Sequence, residues 1–456
     1  MTPVAEIGYC LDTLNDPSVP NPPEEPQEPR EGLSRRGLLT RAGALALGAG
    51  TVAGIAGCEN TTTPDAAGGG SGEGGILGDP TAGGPVDAAG IPLARRDYPV
   101  TLPRVGDPVK AGPAEKGGVL RIYNYADYLN PEVLKRFGQE NGVKVEVTTF
   151  ETLDEAFSKL STGRLEFDVI FSTTDQISRL VGRKLLQPLN YDLIPNLRKN
   201  VWDEIQNPFY DVGPRYTVPY VVFSTGIGWR NDLVDYDPAK LDPVWDALWD
   251  AEQYRGKVQL LNDPREGIGA AIMRGGSVNL NTEDAEQIDA AIKDLIKLND
   301  DVRVKVAING YETLPTGRIV LGQVWSGDML AAAISYLPED VPATALSYTF
   351  QEEGGPVAND IITVAAAAQK PVMAHKFLNF MLDDKNALEN FVDYVGYQPP
   401  IKSINANALV EDEVIPPNLA NVLVTPETYA NANAYLALTV PGQRLWDRGW
   451  QEFRAG

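Results

Sequence analysis

Between Val119 and Phe171 the hydrophobic pattern changes period again and again, and that alternation restricts the fold more than any other feature. Val119–Tyr125 is an apolar and aromatic run with the length of a buried strand. Asn130-Pro131-Glu132 then supplies an N-cap, a proline at the first helical position and an early acid, which predicts a helix to about Glu140. Asn141-Gly142 ends it, and Val143–Thr149 alternates as a strand. Thr152-x-x-Glu155 reads as a capping box for a second helix stopped by Gly163, and Phe167–Phe171 as a third strand. Strands separated by single helices pair in parallel, with the helices as crossovers, so β-α-β-α-β predicts a doubly wound α/β architecture.

The same alternation returns downstream. Lys257–Leu261 reads as a strand, followed by Asp263-Pro264-Arg265-Glu266 and a helix of small residues. Thr282–Asn299 is amphipathic, with Ile288, Ala291, Ile292, Leu295 and Leu298 on one face. Arg318–Trp325 is a strand, Met329–Ser335 a helix, Ile361–Ala366 a strand, and Lys370–Asp383 and Asn386–Val395 helices. No fixed-period repeat occurs. No G-x-x-x-x-G-K-[ST] occurs and no G-x-G-x-x-G opens a helix after a strand, so no nucleotide cofactor is expected.

Composition removes further classes. The chain has 62 Asp+Glu, 39 Lys+Arg and one His, a formal net charge of −23. That excess disfavours a nucleic-acid partner, which requires Lys and Arg to displace phosphate counterions, and it is compatible with a cationic ligand. Only Cys10 and Cys58 are present, so neither a disulfide framework nor a cysteine-rich metal site is expected. The single His375 excludes two-histidine zinc chemistry, and within its helix it reads as structural or solvated.

The first hundred residues read as an address and a tether. Residues 1–33 are polar and proline-rich and cannot build a core. Ser34-Arg35-Arg36-Gly37-Leu38-Leu39 precedes an Ala- and Gly-rich apolar run from Ala42 to Gly57, too short and too weakly apolar to be read as a membrane span. The pair Arg35 and Arg36 ahead of such a run looks like a twin-arginine export signal. Ile55-Ala56-Gly57-Cys58 resembles a lipoprotein cleavage box, with Cys58 as the lipidated residue. Residues 1–57 are thus expected to be a signal, and 58–116 a lipid-anchored linker, with 93–116 extended over the surface and order beginning near Gly117.

Ligands of open α/β sheets bind beyond the carboxyl ends of the strands. Those positions hold Asn124-Tyr125-Ala126-Asp127-Tyr128, Ser172-Thr173-Thr174, Asp263-x-x-Glu266 and Trp325-Ser326-Gly327-Asp328. Asn359-Asp360 precedes the Ile361 strand, and Gly396-Tyr397 follows the Asn386 helix. Rings, hydroxyls and carboxylates with no clustered base beyond Arg265 describe a cation site, because carboxylates pair with ammonium groups and aromatic faces attract cations. Each element has a plainer reading: Asp263-Pro264-Arg265-Glu266 is also a capping box, and Tyr125, Tyr128 and Trp325 could be core aromatics.

The residues from about Gly117 to the end resemble the polyamine-binding proteins of bacterial ABC importers, the spermidine/putrescine receptors. The likeness is carried by Ile122-Tyr123-Asn124-Tyr125-Ala126-Asp127-Tyr128, Asp168-Val169-Ile170, Val218-Pro219-Tyr220, Trp245-x-x-Leu248-Trp249, Tyr254-x-Gly256-Lys257, Asp263-x-Arg265-Glu266, Trp325-x-Gly327 and Gly396-Tyr397-x-x-Pro400. It implies two α/β lobes joined by a hinge, the first about 117–223 plus 360–403 and the second about 224–359 plus 404–456. It implies a ligand set of Tyr125, Asp127, Tyr128, Ser172, Thr174, Asp263, Glu266, Trp325, Asp328, Asp360 and Tyr397. Thr174 and Ala358 stand where the family often has aromatics. The function implied is a monomeric, lipid-anchored receptor on the outer face of the cytoplasmic membrane. It takes a polyamine to an ABC permease, without cofactor or metal and without being an enzyme. Alternatives are a receptor of the same fold for another amine, a thiamine-like cation or a sugar, an anchored hydrolase using Asp263 and Glu266, and a scaffold without ligand.

Overall fold

The first crossover unit forms where the sequence places it. β1 (Val119–Tyr125), α1 (Pro131–Asn141), β2 (Lys144–Phe150), α2 (Leu153–Ser161) and β3 (Val169–Thr173) follow one another. Asn130 caps α1 by accepting from the Glu132 amide, and Gly142 closes it at φ 64°, a left-handed backbone that glycine adopts without penalty. β1 pairs in parallel with both β2 and β3, as single-helix crossovers require.

The computed structural model describes residues 86, 90–91, 93–95, 98–150, 153–162, 166–351 and 354–456. The Arg35-Arg36 pair, the apolar run, Cys58 and most of the linker lie outside the described residues, as do Thr152 and Gly163.

β4 (Val218–Arg230) is buried along its whole length and serves two groups of strands. Shorter helices aside, the chain goes on through β5 (Val258–Leu261), α3 (Pro264–Arg274), α4 (Ala285–Val302), β6 (Lys305–Ala307), β7 (Leu321–Trp325) and α5 (Ser326–Ala331). It continues with β8 (Leu346–Thr349), β9 (Val357–Val364), α6 (Pro371–Met381), α7 (Asp384–Asn390) and α8 (Val440–Ala455). The strand order is β2-β1-β3-β9-β4-β7-β5-β6, with β8 also on β4. Val218–Ser224 pairs antiparallel with β9, and Thr225–Arg230 antiparallel with β7 and β8. Each half repeats one plan: a central strand, β1 or β5, with two parallel neighbours, then an antiparallel strand. In the second half, Ile288, Ile292 and Leu295 of α4 share an apolar core with Trp446, Trp450 and Phe453 of α8. Each such aliphatic side chain contributes about 1.5–3 kcal/mol through burial.

Three expectations need correction. The start of the segment 93–116 is buried rather than laid over the surface, so order does not wait for Gly117, whereas 103–116 contains no buried residue and lies extended at the surface as expected. Val100 and Leu102 are fully buried in a core with Tyr123, Phe157 and Tyr216. Val100 exchanges 2.8 Å backbone bonds with Phe209 and Val212, and the Glu115 carboxylate accepts from the amides of Val372 and Met373 at the start of α6. Prolines forbid a regular ladder here, but the apolar side chains at alternate positions still find a core. Secondly, Asn359 and Asp360 lie inside β9 rather than before a strand. Thirdly, the helix expected over Asn386–Val395 gives way at Phe391 to a π-helical turn ending at Gly396, φ 79°.

His375 is buried and structural. The Asn190 amide donates to Nε2 at 3.0 Å and Nδ1 faces the Pro371 carbonyl at 2.6 Å, while burial pushes its pKa down. Asp168 is structural too, accepting from the amides of Arg121 and Lys370 at 2.8 Å each.

Candidate ligand-binding site

Strand register assembles the site. Thr173 of β3 stands opposite Asp360 of β9, and Thr225 of β4 opposite Trp325 of β7. A cavity of about 1400 Å³ opens between these strand ends, α3, α5 and the turn after α7. It exceeds the roughly 300–1,000 Å³ usual for small-molecule pockets. Ten of the eleven expected ligand residues line it: Tyr125, Asp127, Tyr128, Thr174, Asp263, Glu266, Trp325, Asp328, Asp360 and Tyr397. Ser172 does not. It is fully buried, its hydroxyl faces the Thr173 carbonyl at 3.3 Å, and it borders a separate small void; the strand's alternation gives the cavity to Thr173 instead. Asp127 sits at the exposed rim at φ 52° and accepts from the Tyr394 hydroxyl at 3.2 Å.

Two carboxylates are each half satisfied. Tyr128 donates to Asp360 Oδ2 at 2.8 Å, and Tyr397 donates to Asp328 Oδ1 at 2.7 Å. Asp360 Oδ1 and Asp328 Oδ2 are buried without a hydrogen-bond partner among the described residues. Burial without a counter-charge pushes both groups up to about 7. Tyr128 is itself fixed from behind: Tyr220 donates to its carbonyl at 2.5 Å, and Asn390 donates to the Tyr220 hydroxyl at 2.9 Å. The Tyr397 ring lies against the start of α5, where a Cβ on Gly327 would come within 2.3 Å of it. Only glycine lets that ring reach Asp328.

The pair after β5 behaves differently. Asp263 is an N-cap, accepting from the amides of Arg265 and Glu266 at 2.7 and 3.1 Å, and it lines the cavity at the same time. Glu266 does not complete a capping box. Its Oε1 accepts from Trp325 Nε1 at 2.8 Å and Thr225 Oγ1 at 3.0 Å, and its Oε2 from the Tyr435 hydroxyl at 2.7 Å. Burial, then the charge of Asp263, push Glu266 up to about 7 despite these donors; burial also raises Asp263. With both oxygens held by protein donors, Glu266 is poorly placed as an acid or base for hydrolysis.

Several lining residues were not foreseen. Asp175, one residue past Thr174, adds a further acid to the five expected, bonded by Thr173 and Gln176. Phe223 lies directly opposite Ala358 in the β4–β9 register and meets Tyr397 at 5.5 Å and Trp325 at 6.4 Å between ring centroids. The ring missing at Ala358 is therefore supplied one strand away. Tyr311, Tyr336 and Tyr394 add further rings. Contrary to the expectation of a single base, Arg179, Arg183 and Arg444 also border the cavity, all exposed. Among the described residues no group of three or more His, Cys, Asp or Glu side chains is placed to hold a metal ion.

Residues 132–418 match the family of bacterial extracellular solute-binding proteins. The chain belongs to that family, which consists of solute receptors and not enzymes. It is 28% identical over 307 residues to the spermidine/putrescine-binding periplasmic protein of Escherichia coli, covering 67% of this chain and 84% of that one. It is 26% identical over 351 residues to a putrescine/cadaverine-binding protein of Pseudomonas aeruginosa, covering 76% and 95%. Among solved structures, the substrate-binding protein of a spermidine/putrescine ABC transporter from Streptococcus pneumoniae superposes with a TM-score of 0.60 at 25% identity, over 74% of this chain and 99% of that one. The fold is that of the periplasmic binding proteins.

Proposed function

We propose that the chain is an exported receptor that captures a polyamine of the putrescine/spermidine type and delivers it to an ABC permease. The observation that carries this is the pair Asp328 and Asp360, each buried, each hydrogen-bonded by one tyrosine, and each with one oxygen unpartnered among the described residues. An ammonium group supplies the missing donor and the missing charge together. Rings at Tyr125, Phe223, Trp325 and Tyr397 line the same cavity and suit a methylene chain carrying charge at its ends. The names of the similar proteins from Escherichia coli and Pseudomonas aeruginosa support the same ligand class.

The mechanism is closure of two lobes, 117–223 plus 360–403 against 224–359 plus 404–456, with β4 and β9 as the connecting strands. The strap 93–116 travels with the first lobe. Lipid on Cys58 holds the receptor at the outer face of the cytoplasmic membrane after export through the Arg35-Arg36 signal. Two or more acyl chains are needed for stable anchoring.

A thermal-shift panel on the full chain tests the ligand, with putrescine, cadaverine, spermidine, spermine, thiamine, arginine and a neutral sugar. A ligand at about 100 times its Kd stabilises by about 2.7 kcal/mol. A shift with polyamines alone supports the reading. A shift only with thiamine, arginine or the sugar overturns it. Cys58→Ala should move the protein from the membrane fraction to the soluble one; retention in the membrane contradicts lipidation.

A further inference from the structure

One end of the cavity has a wall that neither half of the sheet supplies. Leu93 lines it beside Ala437, Leu438 and Val440. Ile91, Leu93 and Ala94 are buried, although they stand far upstream of β1. Arg95 Nη2 donates to the carbonyl of Ala437 at 2.7 Å, across 342 residues of sequence, while Nη1 donates to the Ala94 carbonyl at 2.8 Å.

The two ends of this contact are anchored in different places. Downstream of Arg95, Val100 is bonded to Phe209 and Val212, and the Tyr216 hydroxyl donates to the Pro103 carbonyl at 2.7 Å and accepts from the Val105 amide at 2.8 Å. These partners lead into Val218, the start of β4 against β9. Ala437, by contrast, follows Leu436, whose carbonyl accepts from Arg265 at 2.9 Å and whose amide donates to Asn281 at 2.7 Å. Leu438 packs in the core of α4 and α8. The Arg95–Ala437 bond therefore ties the first half of the molecule to the second at the cavity's edge. Both residues fall outside 132–418, the part matched to the family.

We propose that Ile91 and residues 93–95 form a latch across this end of the ligand cavity, with Leu93 as part of its wall and Arg95 as the positioning residue that holds the wall shut. The inference rests on the receptor reading. A bound amine leaves through this end, or the lobes part, only after Arg95 releases the Ala437 carbonyl. The latch thus governs release more than capture.

The test uses the full chain and putrescine, with dissociation followed by stopped-flow tryptophan fluorescence. In Arg95→Ala the dissociation rate should rise roughly two- to tenfold, the range for losing the one hydrogen bond to Ala437, with the association rate nearly unchanged. Leu295→Ala, a core truncation in α4 away from the latch, should lower Tm and leave dissociation unchanged. An unchanged rate in Arg95→Ala overturns the latch, and so does an equal rise in Leu295→Ala. If the wild-type chain binds no polyamine, the receptor reading fails separately, and hydrogen exchange of the ligand-free chain decides the latch. Faster exchange over 91–98 and 434–438 in Arg95→Ala supports it, and identical exchange overturns it.

Discussion

Tyr397 donates a hydrogen bond to one oxygen of Asp328 and leaves the other buried with no partner among the described residues. Tyr128 does the same for Asp360. Both acids are thereby aimed and under-satisfied, a state that costs stability when the site is empty and is relieved when a cation arrives.

That relationship predicts opposite effects of one substitution on binding and on folding. Asp328→Asn or Asp360→Asn should weaken putrescine binding by roughly 2–5 kcal/mol, the cost of removing one partner of a buried charge pair. The empty variants should unfold at the same temperature as the parent or higher, because a buried carboxylate has gone. Calorimetry and thermal unfolding on the same preparations check both. Unchanged affinity in both variants would remove these acids from the site.

Tyr397→Phe deletes the donor and keeps the ring. The Asp328 carboxylate then loses its only hydrogen bond among those described, and its proton affinity rises further. Affinity at pH 7 should fall, and a good part of it should return at pH 8, where the carboxylate is ionised again. Loss that does not depend on pH would point to a ring displaced from its place against Gly327.

The carboxyls at about 7 set a pH dependence whose sign is fixed. Each has a folded pKa above its unfolded one, so the empty receptor binds more protons than the unfolded chain, and it loses stability as pH rises from about 4 through 7. A cationic ligand prefers the ionised form and reverses that trend. Between pH 8 and pH 6 affinity should drop about tenfold for each carboxylate that must release a proton. Titration in buffers of different ionisation enthalpy counts the protons released; none released at pH 6 would contradict the assignment.

Arg265 is a clamp. Its guanidinium donates to Leu436 and Leu280 carbonyls and to Asn281, next to the segment that carries Tyr435 to Glu266. Arg265→Lys keeps the charge and loses the fork. Stability should fall by about 1–3 kcal/mol, and binding should weaken as Tyr435 drifts from Glu266. Thermal unfolding that is unchanged would show that lysine suffices.

How far the site could be read in advance depended on periodicity. Trp325 and Asp328 end a parallel strand and open a helix, so the rule that ligands sit beyond carboxyl ends found them. Ser172 and Thr173 differ by one residue, and period two sends them to opposite faces; the sequence cannot choose between them without the register. Asp360 was placed outside its strand because a polar pair interrupts an apolar run, whereas in the structure that pair is the point where β9 crosses the cavity. Phe223 and Tyr435 look like core aromatics until Ala358 and Glu266 are seen beside them. The strap looked like linker because prolines hide the alternation of Val100 and Leu102.

The central claim is that charge, held by Asp328 and Asp360, selects the ligand. Calorimetric titration of the full chain with putrescine and with 1,4-butanediol, which keeps the chain length and loses the charge, tests it most directly. The account predicts one putrescine per chain at micromolar affinity or tighter and no heat with the diol. Equal binding of both, or of the diol alone, would contradict it.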